Sequence, residues 1–136
     1  MRSITVSAND EDPSAIIEFV QEELERYDCS PKALFQIEVA IEEIFVNIVH
    51  YAGLSSDDDV EVRCEVLNEP LSVVLQFLDG GVPFDPLAKE DPDTTPEGTI
   101  EREGGLGIFL VKEMMDGVSY TYEGGKNTLT IQKNLQ

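Results

Sequence analysis

Positive charge is scarce in this sequence. Its 136 residues include 28 aspartates and glutamates but only 9 lysines and arginines, which gives a formal net charge of −19. Because nucleic acids and anionic membranes attract basic surfaces, this composition argues against either of them as a partner. An acidic surface of this kind favours solubility and basic protein partners.

Long apolar runs and metal-binding cysteine patterns are also missing. No run approaches the roughly 18 residues that a membrane-spanning helix requires, and the first ten residues, MRSITVSAND, lack the apolar core of a signal peptide. We therefore expect a cytoplasmic location and no membrane partner. The two cysteines, Cys29 and Cys64, are isolated, and we interpret them as reduced thiols.

The hydrophobic patterns along the chain predict one α+β domain over residues 1–136. Alternating and helical spacings give the order strand, two helices, hairpin, long loop, helix, hairpin. This order predicts a two-layer α/β sandwich, with helices on one face of a mostly antiparallel mixed sheet. The predicted elements are a strand over 3–8, a helix from Asp12-Pro13, a central helix from Ser30, strands over 60–67 and 71–78, a loop over 88–103, a helix within 104–116, and strands over 118–122 and 128–133.

The central helix carries two polar residues beside a mostly apolar segment, IFVNIV. Ser30 suits its N-cap and Pro31 its first position, whereas Glu43 and Asn47 are four residues apart and share one face. A carboxylate beside an amide could supply a general base next to a ligand for Mg²⁺. The alternative is structural, with Asn47 hydrogen-bonded in the core and Glu43 reaching solvent. The apolar face predicted for this helix comprises Leu34, Ile37, Ile41, Ile44 and Ile48.

Turn chemistry follows the second predicted strand of the first hairpin, where residues 79–86 read DGGVPFDP. Asp79 ends the strand, and the glycines after it leave the backbone open to a flat ligand. Its carboxylate can accept a hydrogen bond from an exocyclic amine such as that of adenine. An ordinary turn that begins with an aspartate explains the same residues equally well.

A second glycine-rich stretch, Gly104-Gly105-Leu106-Gly107, leads into a helix after the long loop. Backbone N–H groups and the positive end of the helix dipole favour a phosphate there. The pattern is not a Walker-type phosphate loop because no lysine follows the glycines. Alone it is also consistent with an ordinary tight turn.

Taken in order, four motifs resemble one known family. EEIFVNIVHYA resembles its N-box, DGGVPFDP and GGLGIFLV its two glycine boxes, and GGKNTLTIQK its closing strand pair. The chain, over roughly residues 4–133, resembles the Bergerat-fold ATP-binding domain of histidine kinases, gyrase B, Hsp90 and MutL. It most closely resembles the anti-sigma factor serine/threonine kinases.

The resemblance implies a role for each motif residue. Glu43 is the implied catalytic base, and Asn47 the implied ligand of the Mg²⁺ that bridges the ATP phosphates. Asp79 is expected to hold the adenine amine, with Gly81 leaving room for the ring. The other implied ATP contacts are Gly105, Leu106, Gly107 and Ile108 near the phosphates, Arg102 near the γ-phosphate below a lid over about 87–104, and Thr128 near the adenine end.

The implied function is transfer of the ATP γ-phosphate to a serine or threonine of a small anti-anti-sigma (STAS-type) partner, together with sequestration of a sigma factor. Members of this family also commonly form homodimers. An alternative, prompted by the acidic lid, is an ATP-dependent protein-binding switch without kinase activity. A third reading, an ATPase or detached histidine-kinase catalytic domain, is disfavoured because only about ten residues precede the first helix.

Overall fold

The computed structural model of the chain describes residues 1–8, 12–51, 53–55, 58–88 and 105–136. Most of the predicted lid, including Arg102, therefore lies outside the described residues. A short 3₁₀ turn, Pro86–Ala88, ends the part before it. The strands and α-helices in the described ranges are β1 Arg2–Ser7, α1 Ser14–Leu24, α2 Pro31–Tyr51, β2 Asp59–Leu67, β3 Ser72–Asp79, α3 Gly105–Met114, β4 Gly117–Glu123 and β5 Lys126–Asn134.

The five strands form one sheet in the order β1-β2-β3-β5-β4. Each of the four pairings is antiparallel. The predicted α+β architecture is therefore confirmed, and the described strands contain no parallel pair. Because β5 lies between β3 and β4, it is an interior strand of the sheet, and its Asn127 lies opposite Asp79 at the end of β3.

One face of the sheet packs against the helices and forms the core. Alternation along β2, β3 and β5 directs apolar side chains to this face, where Val62 pairs with Phe77 and Leu75 pairs with Ile131. These four side chains are at most 2% exposed. Helix α2 covers them with the predicted face, except that Leu34 in its first turns is 38% exposed.

The start of α2 confirms the predicted cap. The Ser30 hydroxyl accepts a hydrogen bond of 3.1 Å from the Ala33 N–H, which pairs one of the free donors at the helix start. The helix then runs to Tyr51, so that its buried C-terminal half brings Asn47 to the edge of the core. None of the helices within the described ranges is both long and apolar enough to cross a membrane.

Candidate functional site

A pocket lies between the C-terminal half of α2 and the ends of β3 and β5. It encloses about 300 Å³, including open solvent at its mouth. Both predicted polar anchors, Asn47 and Asp79, line it. None of the lining residues in the described part of the chain carries a positive charge. The full lining is Ile44, Asn47, Ile48, Phe77, Asp79, Phe84, Pro86, Tyr120, Asn127 and Leu129.

Asp79 presents one carboxylate oxygen to this pocket. It is the last residue of β3 and only 2% exposed, because it is flanked by Val60 of β2 and Asn127 of β5. Its Oδ1 accepts hydrogen bonds of 2.9 Å from the Gly81 N–H and from the Asn127 amide. Among the described residues none donates to Oδ2, so this oxygen can accept a hydrogen bond from a ligand.

The turn after Asp79 is held on two sides. On the sheet side, the Phe84 N–H donates to the Asn127 side-chain oxygen at 3.0 Å. On the helix side, the Phe84 ring stacks on Tyr51 of α2, with ring centroids 6.0 Å apart and planes 26° apart. The turn is therefore tied both to the sheet and to the helix that carries Asn47.

Tyr120 of β4 reaches across to the same turn and donates its hydroxyl proton to the Asn127 side-chain oxygen. Burial raises the pKa of this phenol; a backbone hydrogen bond with Phe84 opposes the shift, and the carboxylates of Asp85 and Asp79 add to it. The phenol therefore keeps its proton at neutral pH and remains a donor.

Asn47 is the unpaired polar group of the site. Its side chain is 6% exposed and lines the pocket, yet it makes no hydrogen bond with any described residue. The amide atoms of Asn47 are not among the fully enclosed, unpaired side-chain atoms of the described residues, so the pocket leaves them accessible to water or to a ligand. The structural alternative of an Asn47 hydrogen-bonded in the core is therefore not what the described residues show.

Glu43 lies one turn before Asn47 and faces the first turn of α3. A Cβ atom at Gly107 would overlap the Glu43 Oε2 atom and would lie 3.2 Å from its Cδ. Gly107 therefore lets α3 approach the carboxylate closely. The sequence predicts phosphate binding at the start of α3, because a helix start favours anions. The candidate base therefore lies beside the predicted phosphate site.

The other predicted phosphate contacts surround this point. Gly105 is the first residue of α3, and Leu106 follows it within the helix, although its side chain lies outside the described part. Ile108 belongs to the same first turns and is 6% exposed. Gly81, two residues after Asp79, donates its N–H to the Asp79 carboxylate. This bond fixes Asp79 beside the glycine backbone where the sequence predicts room for the adenine ring.

The structure does not bring Thr128 into the pocket. Thr128 is opposite Leu78 in the sheet, whereas its neighbour Asn127 is opposite Asp79. Since successive side chains of a strand point to opposite faces, Thr128 belongs to the face away from the helices. The position that we assigned to Thr128 is occupied by Asn127.

Sequence reasoning missed Asn127 because it placed this residue in the turn between the last two strands. In the structure β5 already begins at Lys126. The available signal was the alternation of Asn127, Leu129 and Ile131, which extends the buried face of the strand by one more residue.

The site can therefore be described from one end to the other. Asp79 offers a hydrogen-bond acceptor at the sheet end, and Asn47 an unpaired amide in the middle. Glu43 lies about 6 Å further along the axis of α2, at the start of α3. An elongated ligand with a base at one end and anionic groups at the other matches this order.

Comparison with solved structures supports the same fold. The RsbU and RsbW domains of Rv1364c from Mycobacterium tuberculosis align over 99% of this chain and 33% of that chain, with a TM-score of 0.63 and 14% identity. The Acinetobacter baumannii histidine kinase AdeS aligns over 100% of this chain and 68% of that chain, with a TM-score of 0.50 and 15% identity.

Comparison of sequences finds relatives that are named serine-protein kinase RsbW. The protein of Listeria monocytogenes serotype 4a is 28% identical over 100 residues, which cover 71% of this chain and 63% of the relative. That of Bacillus licheniformis is 32% identical over 95 residues, which cover 65% of this chain and 58% of the relative. The chain thus spans less than two thirds of the length of these relatives. The family model for the histidine kinase-like ATPase domain matches residues 6–133, and the chain belongs to that family.

Proposed function

We propose that this chain is an ATP-dependent serine/threonine protein kinase of the anti-sigma regulatory class. The observation that carries the proposal is the unpaired, buried Asn47 amide in a pocket that also receives the open oxygen of Asp79. Glu43 lies one helical turn away, beside the start of α3. In this arrangement Asp79 suits the base of a nucleotide, Asn47 suits a metal ion beside the phosphates, and Glu43 suits the role of proton acceptor.

Asp79 is proposed to recognise the adenine base. Its Oδ2 is an acceptor in a pocket whose walls are otherwise mainly apolar, with Ile48, Phe77 and Leu129 among them. Apolar walls with a few directed polar groups are typical of sites for flat aromatic ligands. The exocyclic amine of adenine is the donor that such an acceptor requires.

The residues present fit a magnesium ion that is bound mainly by the nucleotide. Mg²⁺ prefers oxygen ligands and is commonly held by one or two protein groups together with phosphates and water. The Asn47 carbonyl oxygen can serve as this protein ligand, and within the described part of the chain no cluster of three acidic, histidine or cysteine side chains competes with it. When bound, the ion neutralises phosphate charge, which the described pocket walls do not.

Glu43 is proposed to orient the hydroxyl group of the protein substrate and to accept its proton. General bases of this kind contribute roughly 10²- to 10⁴-fold to a reaction rate. The remaining catalytic contribution comes from positioning by the pocket. The proposed ATP contacts near the phosphates, Gly105, Leu106, Gly107 and Ile108, belong to the same helix start, and Arg102 is proposed to reach the γ-phosphate.

For the protein partners, we propose a small STAS-type anti-anti-sigma protein as phosphoryl acceptor and a sigma factor as the sequestered protein. The support is the name serine-protein kinase of the relatives and the RsbW domain in the structural neighbour. A cytoplasmic site of action belongs to the same proposal, because ATP and sigma factors are found in the cytoplasm. A homodimer belongs to it as well, on the strength of the family resemblance.

Calorimetry of ATP binding tests the nucleotide site. We expect the wild type to bind ATP more tightly with Mg²⁺ than with EDTA, and Asn47→Ala to lose this difference. Asn134→Ala is the matched control, since it removes the same side chain at the far end of β5. A folded wild-type protein that binds neither ATP nor ADP would overturn the proposal.

Phosphoryl transfer separates the kinase from the alternative, an ATP-dependent binding switch without kinase activity. The protein is incubated with γ-labelled ATP, Mg²⁺ and purified STAS-type proteins from the same organism. The kinase hypothesis predicts that a serine or threonine of one of these proteins becomes labelled. It also predicts that Glu43→Ala loses this labelling although it still binds ATP. The switch hypothesis predicts no labelling. It predicts partner binding that depends on the nucleotide and that persists in Glu43→Ala.

A further inference from the structure

The side chain of Asn127 is unusual in using its complete hydrogen-bonding capacity inside the protein. Its Nδ2 group donates to Asp79 Oδ1 at 2.9 Å and to the Val82 carbonyl oxygen at 2.8 Å. Its Oδ1 atom accepts from the Phe84 N–H at 3.0 Å and from the Tyr120 hydroxyl. An amide offers two N–H donors and two acceptor lone pairs, so none is left over for a ligand.

These partners also determine which way the amide points. With nitrogen and oxygen exchanged, the oxygen would face the Asp79 carboxylate and the Val82 carbonyl, both of which only accept hydrogen bonds. The nitrogen would face the Phe84 N–H, which only donates. Three of the four contacts would become repulsive, so the observed orientation is the one that this environment allows.

The orientation of Asn127 has a direct consequence for Asp79. Because Asn127 and the Gly81 N–H both donate to Oδ1, the orientation of the carboxylate is fixed through this oxygen. Oδ2, to which none of the described residues donates, is then the oxygen of Asp79 that stays available to a ligand in the pocket. Asn127 therefore influences the ligand through Asp79 and the turn, without a hydrogen bond of its own to spare.

We infer that Asn127 is a positioning residue for base selection: it fixes the Asp79 carboxylate so that a single acceptor oxygen faces the pocket, which favours adenine over guanine. This inference rests on the proposed nucleotide-binding function. Adenine carries an exocyclic amine, a donor, where guanine carries the O6 oxygen, an acceptor. A fixed carboxylate oxygen binds the first and repels the second, whereas a carboxylate free to rotate discriminates less.

The test compares the dissociation constants of the magnesium complexes of ATP and GTP for wild type and Asn127→Asp. The substitution keeps the size of the side chain but places an oxygen against Asp79 and Val82 in place of the amide nitrogen. We expect ATP affinity to fall by about tenfold or more, as for loss of a hydrogen bond to a charged group. GTP affinity should change much less. The ratio of the dissociation constant for GTP to that for ATP therefore falls.

Asn134→Asp is the matched control, because it adds the same charge to the same strand, in the residue opposite Ser72 at the other end. We expect it to keep the wild-type ratio. Tyr120→Phe is the milder second variant, which removes only one of the four contacts of Asn127 and is expected to lower the ratio in the same direction by a smaller factor. In a transfer assay, Asn127→Asp should raise the KM for ATP with little effect on kcat.

The possible failures are distinguishable. If the wild type binds no nucleotide, the proposed function itself falls. If the wild type prefers ATP but both nucleotides weaken equally in Asn127→Asp, Asn127 has only a structural role and the inference is wrong. If Asn127→Asp does not fold, an unchanged ratio in Tyr120→Phe overturns the inference instead.

Discussion

Gly107→Ala is the substitution that most directly tests how α3 and the candidate base are arranged. The added methyl group would overlap the Glu43 Oε2 atom and would lie 3.2 Å from Cδ. The atoms it meets form the far end of a flexible side chain. The fold can therefore accommodate the methyl group by moving the carboxylate, without moving the backbone.

The size of the effect follows from this displacement. The carboxylate oxygen has to move by about 1 Å to reach an ordinary van der Waals separation. A misplacement of that size at a reacting group costs on the order of 10²-fold in rate. Alanine is intrinsically more favourable than glycine in a helix by up to about 1 kcal/mol, so the free energy of unfolding should change by no more than about that amount.

The assay measures phosphoryl transfer to the STAS-type partner at saturating ATP, alongside calorimetric ATP binding. We expect transfer to fall about 100-fold. The dissociation constant for ATP should stay within about threefold of wild type, because the substitution keeps the backbone N–H through which residue 107 is proposed to contact the phosphates. Gly117→Ala serves as the control, because its Cβ would meet Gln132 at an ordinary 3.7 Å. In a Glu43→Ala background, Gly107→Ala should have no further effect on transfer, since both changes act on one group.

Two results would contradict this reasoning. Undiminished transfer in Gly107→Ala would mean that the observed place of the Glu43 carboxylate is not its place in the reaction. Loss of ATP binding with the rest of the protein intact would mean that the added methyl group blocks the phosphates themselves, and that displacement of Glu43 is not the main effect.

Two further predictions concern stability. Ser30→Ala removes the hydrogen bond to the Ala33 N–H and should lower the free energy of unfolding by about 1 kcal/mol in urea titrations. Ser55→Ala removes an exposed hydroxyl that donates to Asp58 at 3.2 Å outside any helix start, and should change this free energy less. Burial, reinforced by the charge of Glu23, raises the pKa of the Cys64 thiol from 9.0 to about 11. The folded protein then retains this proton to higher pH than the unfolded chain, so stability is lost as the pH rises from 9 towards 11. Between pH 8 and pH 10.5 the wild type should lose about 2 kcal/mol more than Cys64→Val, and equal losses in the two proteins would show that this thiol does not contribute.

The parts of the site that lie within one element were predictable from the sequence. Glu43 and Asn47 share a helix, and the helical period places them on one face whatever the rest of the chain does. The position of Asp79 at the end of a strand follows equally locally, from an apolar run that stops at two glycines. Ser30 and Pro31 marked the start of α2 correctly because capping depends on the first few residues alone.

Contacts between distant segments were not predictable in this way. The approach of Gly107 to Glu43 depends on how two helices cross, and no spacing along the chain encodes it. From the sequence alone, the glycine was explained by phosphate binding, and the structure adds a second reason for it. The function of such a glycine is therefore ambiguous until its neighbours in space are known.

The prediction of Thr128 as a site residue, where the structure has Asn127, shows why the bounds of a strand decide which side chains can reach a site. An error of one residue in a strand turns a side chain from one face to the other, so a site assignment fails completely where a helix assignment would fail only partly. Asparagine is depleted in strands and common in turns, which favoured ending the turn after Asn127. Tertiary partners outweigh this preference, because Asp79, Val82, Phe84 and Tyr120 together satisfy the whole amide. A buried asparagine near the end of an interior strand contradicts its local preference. Its presence there indicates that neighbouring chain segments require it.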